Sequence, residues 1–154
     1  MSPRFFQVPQ RMGDLGGSEI VSHLSDRHKN AMNRRETGAL GENIAADYLS
    51  KHGYIIRERN FRIREGEIDI IAEKDGTLVF VEVRAKTSKQ FGTAEESITE
   101  RKKKRLTALA EAYLSDCAEQ PASCRIDIIA IKLSANGELI RLNAIENAIE
   151  WTED

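Results

Sequence analysis

The chain has 154 residues, 40% of them hydrophobic and two of them cysteines, which suits one domain with a hydrophobic core and excludes a disulfide scaffold. Its formal net charge of −2 does not indicate a nucleic-acid-binding protein, so any contact with nucleic acid must come from a local basic patch. No segment approaches the roughly 20 apolar residues of a membrane span and the N-terminus lacks the apolar stretch of a signal peptide, so we expect a cytoplasmic protein without a membrane contact.

Residues 1–33 are predicted to form a poorly ordered N-terminal arm, because prolines, a Gly-Gly pair and scattered charges dominate them. A helix is predicted next, from a cap at Thr37 to about Lys51, because its apolar residues recur at helical spacing. Residues 34–150 are taken as the folded domain, and residues 151–154 as a C-terminal tail.

Glu42 lies beside the apolar stripe of this helix and has two interpretations. A carboxylate in the first turns of a helix is favoured by the helix dipole. Alternatively, Glu42 leans over the edge of a sheet toward other acids. Small neighbouring residues would then let the backbone approach its partner closely, and they are Gly38, Ala39 and Gly41.

The stretch over residues 66–86, GEIDIIAEKDGTLVFVEVRAK, predicts a tight β-hairpin, because Asp-Gly lies between two runs rich in Ile and Val. With the turn centred on that dipeptide, Asp69 lies opposite Glu82, and Glu67 lies opposite Arg84. Like charges directly opposite each other destabilise a sheet. Either the two acids spread into water, or a bound cation compensates them. Hard divalent cations bind to one or two carboxylates together with substrate phosphates, so this pair is a candidate metal site.

Three further strands and a second helix complete the predicted elements. Residues 54–62 are predicted to be an outer strand, and on the second hairpin strand the valine face is expected to pack into the core. A long helix is expected to begin at Thr93 or Thr99 and to end near Asp116. Residues 125–131 form an apolar strand parallel to the hairpin strand, and residues 139–145 a closing antiparallel strand. The order predicts an α/β fold.

Five consecutive cations occupy residues 101–105 of the long helix and cannot all point in one direction. Lys103, Lys104 and Arg105 could project past the sheet edge toward a nucleic acid, where counterion release would add affinity. The alternative is a solvated helix face.

The phrases GALGENIAADYL, RNFR, GEIDIIA and FVEVRAK, followed by a Lys-rich helix ending in AYL, resemble the bacterial UPF0102 or YraN family over about residues 34–150. The order of elements also resembles the PD-(D/E)xK nuclease superfamily and is similar to archaeal Holliday junction resolvases. The resemblance implies a restriction-endonuclease-like mixed sheet of about five strands flanked by helices. It also implies DNA as the partner and suggests a homodimer.

By this resemblance, Glu42, Asp69 and Glu82 would be catalytic and would bind Mg²⁺ or Mn²⁺, together with the main chain of Val83. The superfamily usually has a lysine where this chain has Arg84, and an arginine cannot be deprotonated to act as a base. Three outcomes stay open: Arg84 supplies only positive charge, a lysine further along the strand substitutes for it, or activity is weakened.

That lysine is Lys86, and Glu67 could orient Arg84. The implied function is a metal-dependent endonuclease that hydrolyses phosphodiester bonds in branched or otherwise structured DNA. The alternative is a non-catalytic module on the same fold that docks to nucleic acid or to a repair or recombination partner.

Overall fold

The computed structural model describes residues 32–87 and 98–151. Two helices and five strands follow one another there, in the order α1 (Arg34–Lys51), β1 (Ile55–Ile63), β2 (Gly66–Lys74), β3 (Thr77–Thr87), α2 (Glu100–Ser115), β4 (Ser123–Leu133) and β5 (Leu139–Ile149). The predicted arm lies outside the described residues except for its last two positions. Positions 152–154 of the predicted tail lie outside them as well. Neither helix is long and apolar enough to cross a membrane.

The strands form one sheet in the order β1-β2-β3-β4-β5, in which β3 and β4 are parallel and the other neighbours are antiparallel. This confirms the predicted α/β fold with a mixed five-stranded sheet flanked by helices. The hairpin register is also confirmed from Ile70 and Val81 to the turn. Asp75 and Gly76 have φ angles of 51° and 77°, and two positive φ angles are those of a type I′ turn.

Hydrophobic cores cover both faces of the sheet, and each face is capped by one helix. The α1-side core contains Ile44, Ala45, Leu49, Ile70, Ala72, Val79, Val81, Ile129, Ile131 and Leu133. The α2-side core contains Ile68, Ile71, Leu78, Phe80, Leu106, Leu109, Ala110, Ile126 and Ile149, with Trp151 packed against it. The predicted burial of the valine face is confirmed, and the opposite face of the sheet carries a second core.

Helix α1 begins earlier than predicted, because Asn33 caps it rather than Thr37. The Asn33 side chain accepts a hydrogen bond of 2.9 Å from the Glu36 amide, and the Glu36 carboxylate accepts one of 3.2 Å from the Asn33 amide. This reciprocal capping box satisfies two amides that have no partner inside the helix. For α2, the structure selects Thr99 over Thr93 as the cap, since its hydroxyl accepts a hydrogen bond from the Lys102 amide at 3.1 Å.

Gly41 determines how closely α1 lies on β3. A Cβ atom at Gly41 would lie 2.5 Å from the Cβ of Ala85, closer than carbon atoms pack. A Cβ at Gly38 would have nothing within 4 Å. The glycine next to Glu42 is thus the one that the packing requires.

Candidate functional site

Strands β2 and β3 separate at the end of the hairpin away from the turn. Their paired residues end at Ile70 and Val81, after which β2 continues against β1 and β3 continues against β4. We call this separation the β2–β3 fork. Asp69 lies at the fork, where its Oδ2 accepts a hydrogen bond from the Val83 amide at 2.8 Å. A side chain therefore bridges the two strands where their main-chain pairing ends.

The alternation of side chains along β2 breaks at the same place. Ile68 is buried in the α2-side core, whereas Ile70 is buried in the α1-side core, although residues two apart on a regular strand share a face. Across from this step, Asn60 on β1 has a φ of 54°. Asp69 thus occupies an irregular position of the sheet, as functional residues next to strand irregularities often do.

Glu42 reaches the fork from α1, as the second interpretation of the sequence requires. Its carboxyl group is hydrogen-bonded to that of Asp69. Burial, the charge of Asp69 and this hydrogen bond raise the pKa of Glu42 to about 7. Next to it, Asn43 accepts a hydrogen bond of 2.9 Å from Arg59, which ties this turn of α1 to β1.

Glu82 lies on the β3 side of the fork, and its side chain is only 4% exposed. Its Oε1 is 3.3 Å from Nζ of Lys102 and 3.7 Å from Nη1 of Arg84. Burial and the charge of Asp69 raise the pKa of Glu82 to about 7, and the two cations act against that increase. Burial also raises the pKa of Asp69, although its hydrogen bond from Val83 opposes the shift. All three predicted acids therefore lie at the fork and hold protons more tightly than exposed acids do.

The ladder between β2 and β3 contains neither the predicted Asp69–Glu82 pair nor the predicted Glu67–Arg84 pair. Its residues end before Asp69 and Glu82, which lie on the two arms of the fork instead. Glu67 faces Arg62 on β1 and accepts hydrogen bonds of 3.0 and 2.6 Å from it. The prediction that Glu67 lies opposite Arg84 is therefore wrong, because β2 and β3 separate before these two residues.

Three other predicted residues lie near the fork or along β3. Val83 contacts Asp69 through its amide, whereas the sequence suggested its carbonyl as a metal ligand. Arg84 contacts Glu82, and Lys86 lies two residues further along β3, where it faces Lys132 on β4. Glu82, Arg84 and Lys86 therefore follow one another along the same strand.

The basic run of α2 is divided among different surroundings. Lys103 is ion-paired with Glu100 at 2.9 Å, and together with Lys104 it lines a groove of about 670 Å³ between α2 and the end of β5. Arg105 packs over Gly66 at the start of β2. Lys102, which contacts Glu82, was missed as a site residue. Helical spacing alone did not single it out, because Lys102 and Arg105 each lie four residues before a buried leucine, Leu106 or Leu109.

The three acids fit a hard divalent cation by their chemistry, since Mg²⁺ and Mn²⁺ prefer carboxylate oxygens. However, within residues 32–87 and 98–151 no three acidic, His or Cys side chains come together as a ready-made metal site. The contacts explain this, because Asp69 is engaged with Val83 and Glu42 while Glu82 is engaged with Lys102. To bind an ion, the carboxylates would have to exchange these contacts for oxygen–metal bonds.

Asp127 provides a structural comparison with Asp69, since both begin the sequence Asp-Ile-Ile-Ala. Asp127 is 5% exposed and accepts hydrogen bonds of 2.9 Å from the Arg125 Nε and from the Asn147 amide. Asn147 has a φ of 49°, so this carboxylate also bridges an irregular pair of strands. The difference is electrostatic: a cation accompanies Asp127, whereas two further acids accompany Asp69.

Comparison with known proteins identifies relatives over most of the chain. A model described as "Uncharacterised protein family UPF0102" matches residues 41–131. A UPF0102 protein of Symbiobacterium thermophilum is 42% identical over 114 residues, which cover 74% of this chain and 96% of that protein. A UPF0102 protein of Pelotomaculum thermopropionicum is 45% identical over 75% of this chain and 96% of its own length. A UPF0102 protein of Dehalococcoides mccartyi is 44% identical over 77% of this chain and 97% of its own length. The chain therefore belongs to the UPF0102 family.

Proposed function

We propose that this protein is a metal-dependent endonuclease of the PD-(D/E)xK type that hydrolyses phosphodiester bonds in branched or otherwise structured DNA. The observation that carries the proposal is the convergence of Glu42, Asp69 and Glu82 at the β2–β3 fork. These residues come from one helix and two strands, yet their charges affect one another.

The electrostatics of the fork favour a divalent cation. Buried carboxylates lose their hydration, and neighbouring negative charges repel one another, so each acid binds a proton more tightly than an exposed acid does. Two positive charges on one ion would offset the negative charges and relieve the repulsion. A phosphodiester also needs such an ion, because the acids alone would repel its negative charge.

Asp69 and Glu82 would hold Mg²⁺ or Mn²⁺, with Glu42 and the main chain of Val83 as further ligands. When bound, the ion would lower the pKa of a water molecule and offset charge on the phosphate. Arg84 would hold a phosphate oxygen, since its guanidinium stays protonated and donates several hydrogen bonds. Lys103, Lys104 and Arg105 would contact the DNA backbone beyond the site.

The resemblance to junction resolvases supports branched DNA as the substrate and a homodimer as the acting unit. Sedimentation of the full chain with and without a four-way junction would test the dimer. Cleavage of a four-way junction, a flap and a linear duplex by the same preparation would test the substrate, and the junction is expected to be cut fastest.

The central experiment compares Asp69→Asn with the matched control Asp127→Asn. Both residues are buried and accept a hydrogen bond from a strand amide, so both substitutions remove a charge at a similar structural position. Mg²⁺ and Mn²⁺ binding is measured by calorimetry, and cleavage is measured on the three DNA substrates. Asp69→Asn should lose metal binding and cleavage together, whereas Asp127→Asn should keep both. Metal binding and cleavage that survive in Asp69→Asn would contradict the proposal.

A second candidate function is a non-catalytic module that docks to nucleic acid or to a repair or recombination partner. It is favoured by Arg84 at the position of the superfamily's lysine and by the contacts that engage the acids as they stand. DNA binding that is unaffected by EDTA, without cleavage under either metal, would favour this candidate over the nuclease.

A further inference from the structure

Lys102 differs from the rest of the basic run in where its side chain lies. It precedes the buried Leu106 by one helical turn, so it belongs to the side of α2 that faces the sheet. Its side chain is 28% exposed. Lys103, in contrast, is paired with Glu100 inside the helix and lines the groove toward the end of β5.

The surroundings of Lys102 do not favour a cation by themselves. An apolar residue would be usual on the packed side of a helix, and removing a cation from water costs free energy unless it is paired. Its partner is Glu82, whose Oε1 lies 3.3 Å from Nζ and whose side chain is almost fully buried. Replacing a buried ion pair with apolar residues is often neutral or stabilising, so stability alone does not account for this one.

We propose that Lys102 is a positioning residue of the candidate site, whose ammonium group orients Glu82 at the fork and supplies from α2 the lysine that β3 lacks at Arg84. The inference rests on the proposed function, because it deepens the account of the same three acids. It assigns the missing lysine to a different element of secondary structure, which the strand sequence could not indicate.

Lysine suits this role better than the arginine beside it. Its ammonium is compact and has three donors, so it can approach the Glu82 carboxylate closely. Arg84 reaches the same Glu82 oxygen only at 3.7 Å. Lys102 therefore makes the closer contact with this carboxylate.

The test uses three variants of the full chain. Lys102→Met keeps the length of the side chain but removes its charge, and Lys102→Arg keeps the charge. Arg101→Met is the control from the other neighbouring position, where the side chain is exposed and has no proposed role. Circular dichroism and thermal melting establish that each variant is folded, and Lys102→Gln replaces Lys102→Met if the latter does not fold. Ca²⁺ affinity is measured by calorimetry at about pH 8.5, where carboxyl groups are ionised. Cleavage of a four-way junction is measured with Mn²⁺ at single turnover.

Removal of the ammonium should remove its repulsion of a second cation. We expect Lys102→Met to bind Ca²⁺ about three- to tenfold more tightly, because an ammonium group that contacts the same carboxylate as the ion repels it even when partly screened. Its cleavage should fall by about 100-fold or more, as when a preorganised charge is removed from an active site. Lys102→Arg should restore the wild-type Ca²⁺ affinity and part of the rate, and Arg101→Met should change neither.

Two results would overturn the inference. One is a Lys102→Met variant that binds Ca²⁺ no more tightly than the wild type does. If neither the wild type nor Lys102→Met binds Ca²⁺, the inference is overturned in the same way. The other is wild-type cleavage by Lys102→Met when cleavage depends on Asp69. If the wild type cuts no DNA with any metal, the nuclease proposal fails by itself. The Ca²⁺ comparison then decides whether Lys102 acts at the cation site, since tighter Ca²⁺ binding by Lys102→Met than by the wild type supports that placement.

Discussion

Gly41→Ala is expected to destabilise the protein although alanine favours helices. The added Cβ would lie 2.5 Å from the Cβ of Ala85, so α1 must move away from β3 by about 1 Å to reach ordinary carbon contact. Overpacking of this kind costs about 1–3 kcal/mol. The higher helix propensity of alanine returns at most about 1 kcal/mol. With this return subtracted, we expect the free energy of unfolding to fall by up to about 2 kcal/mol, which for a chain of this size lowers the melting temperature by up to about 8 °C.

Gly38→Ala is the matched control, because it lies in the same helix and its Cβ meets nothing within 4 Å. It should stabilise the protein by up to about 1 kcal/mol. Urea and thermal denaturation followed by circular dichroism measure both variants. Since Glu42 follows Gly41, displacement of α1 should also weaken Mn²⁺ binding in Gly41→Ala but not in Gly38→Ala. If Gly41→Ala is as stable as Gly38→Ala, the close contact of α1 with β3 does not exist as described.

Three further predictions concern charges at and around the fork. Because the pKa of Glu82 is raised from 4.5 to about 7, it binds its proton more tightly in the folded than in the unfolded chain, so its ionisation costs stability as the pH rises through this range. Glu82→Gln should therefore gain stability relative to the wild type in thermal melts between about pH 5 and pH 8, and a constant difference would contradict the shift. Arg84→Lys should change the free energy of unfolding by less than about 0.5 kcal/mol and keep or raise the cleavage rate; a tenfold lower rate would mean that the planar guanidinium is needed. Asp127→Ala should lower the free energy of unfolding by about 3 kcal/mol in urea denaturation, because Arg125 loses its closest carboxylate and the Asn147 amide loses its acceptor, and should leave Mn²⁺ binding unchanged; loss of metal binding in the folded variant would show that Asp127 belongs to the site.

Local chemistry made much of the fold predictable. The Asp-Gly turn fixed the hairpin register, and the apolar run over residues 125–131 indicated a central strand. The cap of α1 could also have been found, because Asn33 precedes Glu36 by three residues, the spacing of a capping box. The choice of Thr37 overlooked this pair.

The fork and Lys102 lay beyond a local pattern. The sequence around Asp69 is typical of an uninterrupted strand. Only the pairing of β2 with β1 and of β3 with β4 shows that β2 and β3 separate there. The register therefore failed for Glu67, at the positions where the site lies. Lys102 could be distinguished from four adjacent cations only after the helix was placed on the sheet.

The fork divides the sheet into a two-stranded arm and a three-stranded arm that are joined, beyond Ile70 and Val81, by the hydrogen bond of one carboxylate. Asp69 belongs to the first arm and Glu82 to the second. A ligand bound by both Asp69 and Glu82 would link the two arms. The amides beyond the end of the β2–β3 ladder should therefore exchange with deuterium more slowly once that ligand binds. The same residues that are proposed to bind a cation would then determine how far the sheet can open.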